Sequence, residues 1–168
     1  MVDKVSPATG LWVMLCYRLP RVPSTPRITV WRNLKRLGVG QLVDGLVTLP
    51  ADARTREQLE WVAEQVVEFG GEASIWLAHP ATAAQERQVA AAMAAARAAE
   101  YTAVMNEAEA VAGLDERERR RVATRLSGEL RRIERRDFFP PAERDRAQTA
   151  LRTLRAAETP AAPRKARR

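Results

Sequence analysis

Between residues 82 and 112 the sequence contains neither glycine nor proline and is dense in alanine. Alanine is the strongest helix former, and nothing in this stretch breaks its pattern. A single helix of that length would run about 46 Å at about 1.5 Å per residue. That is longer than a four-stranded sheet can cover, so part of it is expected to project or to meet a partner. The long helix also divides the chain. Everything before it alternates strand and helix signals, and everything after it reads as helix. The division predicts a mixed domain over residues 10–80, a helical extension over 81–157 and a basic tail over 158–168. The tail is rich in Pro and Arg without apolar periodicity, and it is expected to be disordered.

In the first part, the run Leu11, Trp12, Val13, Met14, Leu15, Cys16, Tyr17 predicts a strand buried on both faces. Pro20 and Pro23 keep the following loop extended. Thr25 before Pro26 predicts a helix start, with a hydroxyl cap and proline at the first helical position. Val30, Trp31, Leu34 and Leu37 form its apolar stripe, and Gly38 ends it. Two short strands follow over 39–43 and 46–49, joined by Asp44 and Gly45, a hairpin pair in which both positions favour positive φ. Thr55 and Gln58 suggest a capping box, after which Leu59, Val62, Ala63, Val66 and Phe69 make a second helical stripe. Gly70 and Gly71 stop that helix, and residues 73–78 predict a fourth strand.

Strand, helix, strand, strand, helix, strand, with right-handed crossovers, gives a four-stranded antiparallel sheet with both helices on one face. The predicted fold class is therefore α+β, a ferredoxin-like βαββαβ domain followed by a C-terminal helical extension of three helices. After the alanine-rich helix, Gly113 breaks the chain and Asp115 caps a helix to about residue 136, with Val122, Leu126, Leu130 and Ile133 on one face. Phe138, Phe139, Pro140 and Pro141 predict an apolar turn, and a last helix over 142–156 turns Ala147, Leu151 and Leu154 inward.

No stretch reaches the roughly 20 apolar residues of a membrane span. The first eleven residues include Asp3 and have no apolar core of the secretory type. One Cys and one His exclude an internal disulfide framework and a zinc ribbon. A cytoplasmic setting with no membrane partner is expected. Cys16 reads as a small buried hydrophobe, since nothing nearby lowers a thiol pKa. His79 has no nucleophile beside it, and neither Gly38-Val39-Gly40 nor Gly70-Gly71 opens a helix as a phosphate-cradling loop does. No catalytic, metal or cofactor site is expected, and the chain is not expected to be an enzyme.

The charge is segregated. The net charge of +7 divides into +5 over residues 1–50, −4 over 51–79, −2 over 80–114 and +8 over 115–168. Two basic blocks around a neutral-to-acidic middle suggest an anionic partner, with nucleic acid the commonest case. Arg32 and Arg36 share a helix face with Lys35 beside them, and Arg18, Arg21 and Arg27 come from the loop entering that helix. The loop set suits an oxyanion. The second block places nine Arg against five acids over residues 115–136. Its candidate duplex contacts are Arg117, Arg120, Arg121, Arg125, Arg132 and Arg136, joining Arg32, Lys35 and Arg36. The alternative for both blocks is a solvated outer face, with Arg and Glu paired at helical spacing.

The stretch Tyr17-Arg18-Leu19-Pro20, Pro23-Ser24-Thr25-Pro26-Arg27, Trp31-Arg32 and Leu34-Lys35-Arg36-Leu37-Gly38 resembles the N-terminal domain of the ChrB chromate-resistance regulator family. Asp44-Gly45, Leu49-Pro50, Glu60-Trp61, Gly70-Gly71-Glu72-Ala73, Glu100-Tyr101 and Arg135-Arg136-Asp137-Phe138-Phe139-Pro140 are similar too. The resemblance implies a bacterial cytoplasmic protein that controls chromate-efflux genes by binding DNA. Family members commonly continue into a second, C-terminal domain. Without one, the chain is expected to act alone or with a separately encoded half. The strand–Tyr–x–x–Pro–helix pattern also looks like phenylacetate-operon repressors and small ferredoxin-like subunits of CRISPR adaptation complexes. Metal-dependent members of the latter have an Asp where this chain has Arg18, which repels Mg²⁺ and argues against nuclease activity.

Together these features predict a dimeric DNA-binding transcription regulator of chromate resistance, with double-stranded DNA as partner and chromate or another oxyanion as effector. A protein-interaction module that docks a separately encoded chromate-sensing domain, or an oxyanion-binding sensor, are the alternatives.

Overall fold

In a computed structural model describing residues 10–111 and 113–156, the elements follow in the order β1 (Trp12–Arg18), α1 (Thr25–Leu37), β2 (Gly40–Val43), β3 (Leu46–Pro50), α2 (Ala53–Glu68), β4 (Glu72–Ala78), α3 (Ala83–Ala110), α4 (Glu116–Glu134) and α5 (Glu143–Ala156). The tail expected over 158–168 lies outside the described residues. β1 pairs antiparallel with both β3 and β4, and the sheet order is β2-β3-β1-β4. This is the ferredoxin-like arrangement, followed by three helices. Among the described residues no helix is long and apolar enough to cross a membrane.

By internal contacts the chain forms two units. The first takes the described residues 10–94 together with Arg136–Phe139. Its register sets Val13 opposite Leu49 and Leu77, and Leu15 opposite Val47 and Ile75. Side chains alternate along a strand, so these residues share one face. All but Leu77, which is 51% exposed, close a core with Val30 and Leu34 of α1 and Leu59, Val62 and Val66 of α2. The other face is only partly covered. Trp12 stacks on Phe139 at 5.9 Å between ring centroids, and its indole donates to Glu86 at 3.2 Å. A Cβ on Gly40 would stand 3.1 Å from the Met93 sulfur, so glycine lets the first turns of α3 lie close there.

Five local expectations change. Cys16 is exposed, because the cover over the second face stops short of it; β1 is therefore buried on both faces only near Trp12. Trp31 is 48% exposed, since at one residue past Val30 it turns about 100° away from the buried stripe. Thr25 is helical, and Ser24 takes the N-cap position without a side-chain bond. The capping box of α2 is Asp52 with Thr55: Asp52 accepts the Thr55 amide at 2.7 Å, and the Thr55 hydroxyl accepts the Asp52 amide at 2.9 Å. In the hairpin only Gly45 takes positive φ, at 76°, and a bulge between Gln41 and Val43 absorbs the remaining twist. A Cβ at Gly45 would meet the Tyr17 carbonyl oxygen at 2.5 Å.

The second unit holds Ala95–Arg135 and, of the described residues after them, 140–156. Tyr101, Val104 and Ala108 of α3 pack with Ala123, Leu126, Leu130 and Ile133 of α4 and with Ala147, Leu151 and Leu154 of α5. The second half of the long helix, expected to project or to meet a partner, thus finds cover within its own chain. Gln148 of α5 donates to Glu134 of α4 at 2.6 Å.

The Asp52 box supplies a test of the α2 start. Replacing Asp52 with Ala is expected to lower stability by about 1 kcal/mol, the usual worth of an N-cap side chain. Urea unfolding checks it, and an unchanged midpoint would contradict it.

Candidate nucleic-acid interface

Within the second unit, α4 has opposite faces with opposite commitments. Asp115 accepts the Glu118 amide at 3.0 Å, and acids in the first turn with Arg131 and Arg132 in the last suit the helix dipole. Ala123, Leu126, Leu130 and Ile133 are buried. Directly across the helix lie Arg117, Arg121, Thr124, Gly128 and Arg132, at spacings of three and four. From Arg117 to Arg132 the stripe is about 22 Å long.

Pairing distinguishes the centre of this face from its flanks. Arg120 binds Glu116 at 2.9 Å, one turn back. Arg125 binds Glu107 of α3 and reaches Glu129 at 3.5 Å. Arg119 donates to the Leu114 carbonyl, and Arg131 donates to the Ser127 carbonyl at 3.2 Å. Arg117, Arg121 and Arg132 are exposed, and among the described residues no ion pair engages them. The Arg132 guanidinium lies 3.7 Å from where a Cβ on Gly128 would stand, an ordinary contact distance. Three unneutralised guanidiniums on one exposed face suit phosphate groups, which they bind bidentately and with counterion release.

The first unit carries the other basic block. Arg32, Lys35 and Arg36 are exposed on α1, again without an ion pair among the described residues. Lys35 Nζ sits 4.2 Å from the centroid of the Trp31 ring, a cation–π contact. Arg136 joins this block and not α4: its Nη1 donates to the Lys35 carbonyl at 3.3 Å, at the C-terminal end of α1. Beside α1 lies α2, tied to it by Asn33 Nδ2 donating to Gln65 Oε1 at 2.8 Å. The exposed face of α2 is acidic, with Glu57, Glu64 and Glu68 around Trp61, which is 53% exposed.

The three arginines expected from the loop do not converge, and only Arg21 lies in it: Arg18 ends β1 and Arg27 belongs to the first turn of α1. Arg18 binds Glu72 of β4 at 2.9 Å. Tyr17 points to the opposite face of the strand, and Arg27 acts on its hydroxyl. Arg21 is exposed in the loop. A cleft of about 550 Å³ in the second unit, lined by Met105, Glu109, Asp145, Arg146 and Thr149 among others, holds carboxylates and does not suit an oxyanion. Among the described residues no three His, Cys, Asp or Glu gather as metal ligands.

A ferredoxin-like unit with a basic helical one is the class of protein these features define. The family profile described as Protein ChrB, N-terminal, matches residues 27–122. Protein ChrB of Cupriavidus metallidurans is 31% identical over 156 residues, covering 90% of this chain and 47% of that protein. The chain belongs to the ChrB family as its N-terminal domain, and the family is associated with chromate resistance. The chain spans about half the length of the curated relative it matches. No solved structure matches it.

Two features escaped the sequence analysis. The acidic face of α2 was readable, since Glu57, Trp61, Glu64 and Glu68 recur at four, three and four. The fold-back of Arg136 onto α1 carries no sequence signal, because it joins residues 101 positions apart.

Tyr17 offers a pH test of the loop. Burial first, then the Asp44 carboxylate, push its phenol pKa up, while Arg27 pulls it down. A raised folded-state pKa gives stability that is full below the unfolded value near 10 and is lost as pH rises through the folded one. Between about pH 9 and 11, Tyr17→Phe is therefore expected to lose stability less steeply than the parent in urea unfolding; equal slopes would contradict it.

Proposed function

We propose that this chain is a non-enzymatic, DNA-binding transcriptional regulator of chromate resistance, acting in the cytoplasm as a dimer. The outward face of α4 grips duplex phosphates. The observation that carries this reading is the absence of acid partners, among the described residues, for Arg117, Arg121 and Arg132 on a face whose flanking Arg120 and Arg125 are paired. Family membership supplies the link to chromate. Arg120 and Arg125 lend their charge only by giving up carboxylates, so they contribute less. Arg32, Lys35 and Arg36 lie beside the acidic α2, which repels a phosphate backbone laid over them. Arg136 holds the α1 terminus. An oxyanion effector would meet Arg21 and Arg27, since Arg18 is held by Glu72.

The test is an electrophoretic shift with the promoter fragment of the chain's own gene at two salt concentrations. The parent is expected to bind more tightly at the lower salt. Changing Arg117, Arg121 and Arg132 together to Ala is expected to weaken binding by at least about tenfold. Absence of binding by the parent at low salt, or unchanged binding by the variant, would reject the reading.

A further inference from the structure

We propose that the outer surface of the α1–α2 layer is a self-association surface, in which the basic α1 of one copy lies over the acidic α2 of a second. The two helices differ sharply in charge. α1 contains four cations and no acid, and its outward side presents Ile28, Arg32, Lys35 and Arg36. α2 presents Glu57, Trp61, Glu64 and Glu68, while its Arg56 is taken by Glu60 at 2.7 Å. Among the described residues these outward charges have no ion-pair partner, although the helices are neighbours. Each points away from the sheet, not toward the other.

Such a surface is complementary to itself, as a two-fold interface requires. Each helix runs back along the strand before it, and β1 and β3 are antiparallel, so α1 and α2 are antiparallel. A two-fold axis lying in the contact plane along the helices places α1 over the second copy's α2, and α2 over its α1. An axis across the helices would stack α1 on α1, cation on cation, and the charges exclude it. The Asn33–Gln65 bond sets the helices level at those residues, and rotation about the first axis leaves heights unchanged. Arg32 then arrives within about a turn of both Glu64 and Glu68 on the second copy, and Arg36 within about a turn of Glu64 and beside Trp61. Half-exposed Ile28 and Trp61 supply the apolar surface that a purely ionic contact would lack. A nucleic acid is the poorer occupant, because half of this layer is acidic. A different protein is an outcome of the test. The surface uses none of the α4 arginines, so it holds whether or not α4 binds DNA.

Sedimentation velocity of the full chain tests it. The parent is expected to be dimeric at low salt and to dissociate as salt rises. Arg32→Glu with Arg36→Glu is expected to be monomeric, and so is Glu64→Lys with Glu68→Lys. Combining all four changes in one chain is expected to restore the dimer. Mixing the two double variants is expected to yield a heterodimer that neither forms alone. All four side chains are exposed, and melting of each variant checks its fold. As an independent readout, carbodiimide should couple Lys35 to Glu64 between isotope-labelled and unlabelled parent copies. A parent that is monomeric at every salt, well-folded double variants that remain dimeric, or parent dimers without that inter-copy coupling would overturn the proposal. Assembly only with another protein would likewise overturn it.

Discussion

The apolar seam of α4 is the constraint on which the rest depends. Burying Ala123, Leu126, Leu130 and Ile133 against α3 and α5 fixes the rotation of the helix about its axis. Once that rotation is fixed, the periodicity of 3.6 residues per turn decides which arginines face water. Those one step to either side of the outward line fall within reach of Glu107, Glu116 and Glu129 and are neutralised. Those on the line itself are not. The basic character of the helix is thereby concentrated on a narrow face. Without the seam the same sequence would be a mixed-charge helix with no direction.

The first unit handles its charge differently. Two helices on one face of the sheet carry opposite signs, and the charges of each point outward. Their juxtaposition is stable because the ties between α1 and α2 are a neutral amide pair and a shared apolar core. The charges are left for something beyond the unit. On α4 the surroundings leave only cations at the centre of the face; on the α1–α2 layer they leave both signs in two parallel rows. A polyanion fits the first pattern, and a like-patterned protein surface fits the second.

Much of the fold was legible in the sequence, because it is written in local terms. Periodicity, Gly38, Gly45 and the Asp115 cap placed the elements, and the inward residues of α5 follow from spacing alone. What escaped was decided by neighbours distant in sequence. Trp31 counts as apolar in any periodic reading, but its neighbour Lys35 covers it in place of the core. Cys16 sits mid-strand, and its exposure follows from where the cover by α3 and Phe139 stops. The candidate site shares this limit. Spacing collected the arginines of residues 115–136 into one block. The pairs of Arg120 with Glu116 and of Arg125 with Glu129 lie at helical spacing, whereas the acid contributed by α3 and the return of Arg136 to α1 come from residues distant in sequence.

The salt dependence of duplex binding reads this separation most directly. With affinity measured over a range of salt, the slope of log affinity against log salt counts the phosphates neutralised. Removing Arg117, Arg121 and Arg132 is predicted to flatten that slope by about 0.9 for each phosphate that is no longer neutralised, whereas removing the paired Arg120 and Arg125 leaves it nearly unchanged. Equal flattening by both sets, or by neither, would contradict the account.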